Sequence, residues 1–406
     1  MYPIYLQKNL TRTRGIKYYF VLFFCLSGLQ FFQPVILNPT LLYYIYYALF
    51  SATALFILLF YKNTDKSSFT APIFLLISAA LLSGFMSSYY WEQSLIDSFK
   101  ALSPFLFYIL FFLLLILKLK VNEVEEIFIV MSVLYIVVFI ITFLSFPVQI
   151  FGDIQKYGDE RGFQRIVVIG DGFLFLFSFY LLGQYFNKRK VRFLILFFIT
   201  LVFIFLLLTR TIIAASVLVF SLFVLRKTSN IKKVLAIFTI CSFMFVISQM
   251  NFFKLLVNTT KDQANNISDD IRIQSAYYYI NNFSPNTFTK IFGNGQAYYG
   301  NRYADYMNML EKDLGFYQSD IGYIGLYSKY GLLAILAYLI LIYRTLKISI
   351  PDEYFYCKYF LYFVFLISII IDAPFNTSFI PSIVLAIYVL HSKDLSRTDN
   401  KENSVL

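Results

Sequence analysis

Along its 406 residues the chain alternates long apolar blocks with short polar connections. One helical crossing of a bilayer needs about 20 apolar residues. Blocks of that order recur near Ile16–Leu37, Leu41–Tyr61, Ala71–Ser88, Leu102–Leu117, Ile127–Phe146, Ile166–Tyr185, Phe193–Thr209, Thr211–Leu225, Val234–Val257, Ile321–Tyr343, Tyr359–Ile371 and Thr377–Leu390. The pattern predicts an all-α, polytopic transmembrane bundle of about twelve spans. The run from Phe193 to Leu225 is divided at Thr209-Arg210-Thr211, which makes a tight hairpin with Arg210 at its tip. Two polar connections exceed linker length, Pro147–Arg165 and Asn258–Asp320. Within the longer one, a helix from Ile271 to Tyr279, capped by Ser268 or Asp269, and a second pattern from Tyr303 to Leu314, stopped by Gly315, flank a turn at Phe292-Gly293-Asn294-Gly295-Gln296. The chain therefore divides into spans one to nine (1–257), a large loop with short helices (258–320), spans ten to twelve (321–391) and a polar tail (392–406) expected to be disordered.

Composition excludes a soluble globule: 59% of residues are hydrophobic and 14% charged, against about 25% charged in soluble domains. A net charge of +11 in a soluble domain would point to nucleic acid, but here the basic residues lie mostly between the apolar blocks and orient the chain. Of the 34 Lys and Arg, 22 fall on the side that holds the amino terminus, the even-numbered connections and the tail. Both termini are therefore expected in the cytoplasm and the two long loops outside. The first block lacks a small-residue cleavage site and is expected to serve as its own insertion signal. Cys25 and Cys241 lie in apolar blocks and Cys357 in a short basic segment, so the three cysteines imply neither a disulfide framework nor a metal site. The sole histidine, His391, is on the cytoplasmic side, and no metal or other cofactor is expected.

Candidate chemistry gathers at the outer rim. Arginine is costly at membrane depth and, when present, tends to face protein or water. Arg210 stands between two apolar spans, as a site residue or as a side chain reaching to the interface. Arg161 and Arg165 occupy the smaller loop, the former beside Asp159 and Glu160 as an alternative partner pair. Arg272 opens a loop helix, where a cation opposes the helix dipole unless it pairs with Asp269. Guanidinium binds phosphate oxygens in a bidentate manner and stays charged, so outward arginines near the bilayer suit an anionic, lipid-linked substrate. The loop's tyrosines, among them Tyr278 and Tyr299, suit sugar stacking or an interfacial belt. Asp320 lies where the loop meets the tenth span, either activating a hydroxyl or capping the helix. Lys329, two turns into that span, has Asp372 as a candidate partner.

Three stretches carry a resemblance. Leu208-Thr209-Arg210-Thr211-Ile212-Ile213-Ala214, then Arg272 with Ile291-Phe292-Gly293-Asn294-Gly295, then Ser319-Asp320-Ile321-Gly322-Tyr323 through Tyr330-Gly331-Leu332-Leu333 are similar, in order and placement, to motifs of the O-antigen polymerase (Wzy) and O-antigen ligase superfamily. The resemblance implies a GT-C-like fold and metal-independent, inverting glycosyl transfer at the outer face of the bacterial plasma membrane. It implies an undecaprenyl-diphosphate-linked oligosaccharide as substrate, with a flippase and a chain-length regulator as pathway neighbours and no nucleic acid. Arg165, Arg210 and Arg272 would hold the diphosphate, Asp320 would act as catalytic base, and Arg161, Arg302, Tyr278 and Tyr299 would contact sugar. The ligase branch usually carries a histidine just before the span where Ser319-Asp320 stand here, so the absence of an outward histidine favours polymerase over ligase. A transporter or polysaccharide flippase is the rival of another class. It predicts polar residues near mid-membrane, whereas the ionisable residues here sit at the rim.

Overall fold

A computed structural model of the protein describes residues 14–61, 67–156, 164–227 and 270–394. Every expected span except the ninth, which lies outside the described residues, has a helix in its place. These are α1 (Ile16–Gly28), α2 (Pro39–Phe60), α3 (Thr70–Tyr90), α4 (Leu95–Leu106) continued by α5 (Leu110–Leu117), α6 (Val121–Leu144), α7 (Asp171–Lys188), α8 (Val191–Leu206) and α9 (Arg210–Lys227). After the loop helices α10 (Ile271–Asn281), α11 (Thr287–Phe292) and α12 (Arg302–Lys312) come α13 (Gly322–Lys347), α14 (Phe355–Ile367) and α15 (Ile380–Ser392). Five stretches among the described residues are long and apolar enough to cross a membrane: α2, α3, α4 with α5, α6, and Gln318–Lys347. The chain is a helical membrane protein. In hydrocarbon a segment must satisfy its own backbone groups, and a helix is the only way a single segment can do so.

Local chemistry fixes the ends. Asn38 caps α2, accepting the Thr40 N–H at 2.9 Å, with Pro39 in the first turn. Ser94 caps α4 through the Asp97 N–H at 3.1 Å. Hydroxyls inside the bundle bond helix carbonyls: Ser132 Oγ lies 2.6 Å from the carbonyl of Phe128 on its own helix and 2.8 Å from that of Phe173 on α7.

Three local features go beyond the hydropathy pattern. The bundle is helical as expected, and the smaller loop adds a short antiparallel pair, β1 (Asp153–Lys156) and β2 (Gln164–Val167), with Gln155 opposite Arg165. The first span ends early, at Gly28. Gln30 to Gln33 all have positive φ, and this turn is tied to the hairpin by Gly152 N–H to Gln33 O (3.1 Å) and Val35 N–H to Ile150 O (2.9 Å). The fourth span carries Pro104 inside α4 and then passes through a 3-10 turn at Phe107–Ile109.

Two ends result. At one, Arg14 pairs with Glu126 (3.1 Å), Lys227 with Asp352 (3.3 Å), and the Tyr388 hydroxyl reaches Leu119 O (2.8 Å). At the other lie the hairpin, the α8–α9 turn and the large loop.

The loop is locked into the bundle at a break in α13. Gly331 departs from helical geometry, with φ 77° and ψ −178°, and the Gly293-Asn294-Gly295 turn fills the gap. Asn294 N–H donates to Ser328 O (3.2 Å) and Gly295 N–H to Lys329 O (2.8 Å). A side chain at Gly293, itself at φ +88°, would overlap the backbone of Lys329 and Tyr330. Gly293→Ala should therefore lower the melting temperature in detergent well beyond Gly300→Ala. Gly300 also has positive φ but open space around it, so equal losses in the two variants would contradict the lock.

Candidate active site

The loop stands on a stack of rings. The Trp91 indole, at the end of α3, lies 4.6 Å from the Tyr303 ring and 5.4 Å from those of Phe283 and Tyr306. Its Nε1–H donates to Asn294 Oδ1 at 3.2 Å. Beside it Gln93 is buried and fully used: its amide nitrogen donates to Gln296 O (3.0 Å), and its oxygen accepts from Tyr298 N–H (2.8 Å) and Asn301 Nδ2 (2.9 Å). Rings supply area and Gln93 supplies register, so segment 296–301 is held against the α3–α4 turn.

Under this segment opens a cavity of about 590 Å³, bounded by the first turns of α2 (Tyr43, Tyr44, Tyr47), by Lys100 of α4, by Tyr298 and Tyr299, and by Glu311, Gln318 and Lys329. That volume is in the usual range for an organic ligand. Tyrosine faces beside a few charges suit a polyhydroxylated ligand. Lys100 pairs with Asp97 at 3.4 Å and lies 5.4 Å from the Tyr298 ring centre. Burial pushes the Glu311 carboxyl up from the usual range, with Lys329 pulling the other way.

A second pocket, about 190 Å³, is lined by β2, Asp171 at the head of α7, Thr209 in the α8–α9 turn, Ser319, Asp320, Asp372 and Asn376. Two bonds shape it: Asp372 N–H donates to Ser319 O (3.1 Å), and Gly170 N–H donates to Ser378 Oγ (3.0 Å). Lys329 joins the two spaces, since its side chain borders the larger cavity and its Nζ lies 3.9 Å from Asp372 Oδ2, which borders the smaller. The two side chains are 12% and 19% exposed, so water screens this pair far less than a surface one. The partnership expected from sequence is therefore present. Among the described residues no group of three or more His, Cys, Asp or Glu is arranged to hold a metal ion.

The expected site residues fall into three groups. Asp320 borders the smaller pocket, as does the strand that carries Arg165, while Arg210, half-buried, begins α9 one residue after Thr209. Asp320 does not cap α13: the residue before that helix is Ile321, without a side-chain bond, and Asp320 sits in the 3-10 turn Gln318–Ile321 with its Oδ1 3.3 Å from Ser319 Oγ. Tyr299, 90% exposed, borders the larger cavity. Arg272 and Arg302 line neither space. Arg272 is exposed on α10, which is capped by Asp270 rather than by Ser268 or Asp269, both outside the described residues. Arg302 lies 3.5 Å from Glu92 in an exposed pair, and the Tyr278 hydroxyl bonds that of Tyr306. Arg161 lies outside the described residues.

Lys100, Glu311 and the tyrosines of α2 had no local signal, because the loop meets α2 and α4 only in the fold. Gln93 had one, a polar residue beside the only tryptophan at a span end.

Residues 195–339 match the family model described as Wzy_C, O-Antigen ligase. This stretch carries an O-antigen ligase-type domain. It runs from α8 through α13 and contains Arg210, Arg272, Glu311, Asp320 and Lys329, so the resemblance to the O-antigen polymerase and ligase superfamily is shown where the three motifs lie. No curated protein matches the chain. The match covers about a third of the chain and shows what that stretch is similar to.

If Gln93 sets the loop's register, Gln93→Leu strands the Tyr298 N–H and the Gln296 carbonyl, at about 1–3 kcal/mol each. Hydrogen exchange at 296–301 should then quicken at least tenfold while α14 is unaffected. Unchanged exchange in that segment would remove Gln93 from this role.

Proposed function

We propose that the protein is a polymerase of lipid-linked oligosaccharide repeat units, joining them by glycosyl transfer at the outer face of the plasma membrane with both termini cytoplasmic. The observation that carries this reading is the pair of adjoining spaces at the loop-bearing end, a tyrosine-lined cavity large enough for sugar residues and a smaller, charged pocket flanked by Thr209-Arg210 and by the strand of Arg165. In this reading the larger cavity takes the acceptor glycan. Arg165 and Arg210, beside the smaller pocket, and Arg272, on the exposed face of α10 outside both spaces, bind the undecaprenyl diphosphate of the donor, neutralising charge that grows on the leaving group. A hydroxyl of the acceptor attacks the anomeric carbon with inversion, and a carboxyl group of the smaller pocket, Asp320 among them, takes its proton. Arg302 and Tyr299, at the rim, meet more distal sugars.

Polymerase is favoured over ligase by the single histidine. His391 is buried at the far end of α15, its ring 6.2 Å from Phe111, remote from the pocket where a ligase would place one. A transporter is less well supported, because the charged groups that line the pockets lie toward the two ends of the bundle, whereas a transporter places polar residues near mid-membrane.

The test is a gel of surface glycan from cells lacking the protein and from the same cells complemented. Loss should collapse the ladder to a single repeat unit on its lipid core. Long chains that accumulate on the carrier lipid would indicate a ligase, and an unchanged ladder a transporter. In the complemented strain, Arg210→Ala and Arg272→Ala should abolish polymer at unchanged protein level, and Lys at either position should rescue poorly for lack of the bidentate fork. Full-length polymer from either alanine variant removes that arginine from the site.

A further inference from the structure

Three carboxyl groups border the smaller pocket, those of Asp171, Asp320 and Asp372. Their surroundings differ. Asp320 is half-buried and met by the Ser319 hydroxyl. Asp372, in the outer turn between α14 and α15, is held by a backbone bond and faced by a cation. Its backbone N–H is fixed on Ser319 O, and its Oδ2 faces the ammonium of Lys329 at 3.9 Å, with Lys329 bordering the cavity assigned to the acceptor. The Lys329–Asp372 pair therefore links the lining of the larger cavity to that of the smaller pocket.

We propose that Asp372 is the proton acceptor of the transfer and that Lys329 is its positioning residue. This rests on the polymerase reading of the site. In the step, the acceptor oxygen bonds to the anomeric carbon as that carbon's bond to the diphosphate oxygen breaks. The bonding pair leaves with the diphosphate, and the hydroxyl proton passes to Asp372 Oδ2 and from there to water.

The charges around Asp372 give the assignment opposite-signed tests. Lys329 faces it from α13 and Asp320 from the 3-10 turn. Asp171 borders the same pocket from α7 and Arg210 flanks it at the head of α9, while Glu311 faces Lys329 from α12. Burial holds the Asp372 carboxyl above the usual carboxylate range, Lys329 pulls it down and Asp320 pushes it up. That brings a carboxylate closer to the strength a general base needs near neutrality. The ionised form is the active one, so turnover is lost as pH falls through the Asp372 pKa in the folded protein.

The experiment uses the full-length protein in proteoliposomes with a lipid-linked repeat unit, following initial rate against pH. Asp372→Asn should lower kcat about 100-fold or more while KM and binding of the unit change little. Lys329→Ala should move the acidic limb up by about one pH unit, since the cation favouring the carboxylate is gone, and Lys329→Arg should bring it back. Asp320→Asn should move the same limb down, since a repelling charge is gone. Turnover of Asp372→Asn within about tenfold of wild type overturns the assignment. So does an acidic limb that vanishes in Asp320→Asn, or stays in place in Lys329→Ala, and the Lys329→Ala profile decides if Asp372→Asn fails to fold. A wild-type protein that consumes the unit without polymerising it overturns the polymerase reading, and this assignment with it.

Discussion

A helix interrupted within a membrane protein leaves backbone groups that hydrocarbon cannot satisfy, and the rest of this structure is arranged around the answer to that problem at Gly331. The partners come from outside the bundle. The Gly293-Asn294-Gly295 turn takes up the carbonyls of Ser328 and Lys329, three and two residues before Gly331. Because these are the bonds a continuous helix would have made for itself, loop and helix cannot be separated without exposing both. The Lys329 carbonyl is bound by the loop, and its side chain stands between two spaces that α13 alone would not define.

The same constraint places the aromatics. Trp91, Phe283, Tyr303 and Tyr306 form a small core of their own beneath the loop, apart from the main apolar core of the bundle. That second core gives segment 296–301 a rigid floor, and Gln93 fixes its register. The cavity proposed to take glycan is thereby built on fixed elements. Tyr298 and Tyr299 at its rim, with Tyr43 and Tyr44 of α2, present rings toward this cavity.

The spans were legible because hydropathy over about twenty residues is a strong signal. The departures are local. The fourth span passes through a 3-10 turn at Phe107–Ile109, and four residues of positive φ, Gln30 to Gln33, tie the chain to a hairpin too short to read by alternation. In the loop, Gly293-Asn294-Gly295 was legible as a turn, but nothing in the sequence said that its partner was the helix around Gly331. Asp320 was legible as a polar residue at a boundary. Its two readings, cap and site, separated only once the helix began at Gly322 without it. The Lys329–Asp372 pair was foreseeable from cost alone, since a charge at membrane depth needs a partner. The larger cavity was not, because its Lys100 lies 196 residues before its Gln296, and the tyrosines of α2 lie farther still.

The central claim is that glycan is bound at the loop-bearing end, between α2, α4 and the loop. A lipid-linked repeat unit carrying a photoreactive group on its sugar, crosslinked to the protein in its membrane and mapped by peptide mass, tests this most directly. The account predicts labels within Pro39–Tyr47 and within 296–311. Labels confined to the opposite end, around Glu125, Gln184 and Lys188, would contradict it.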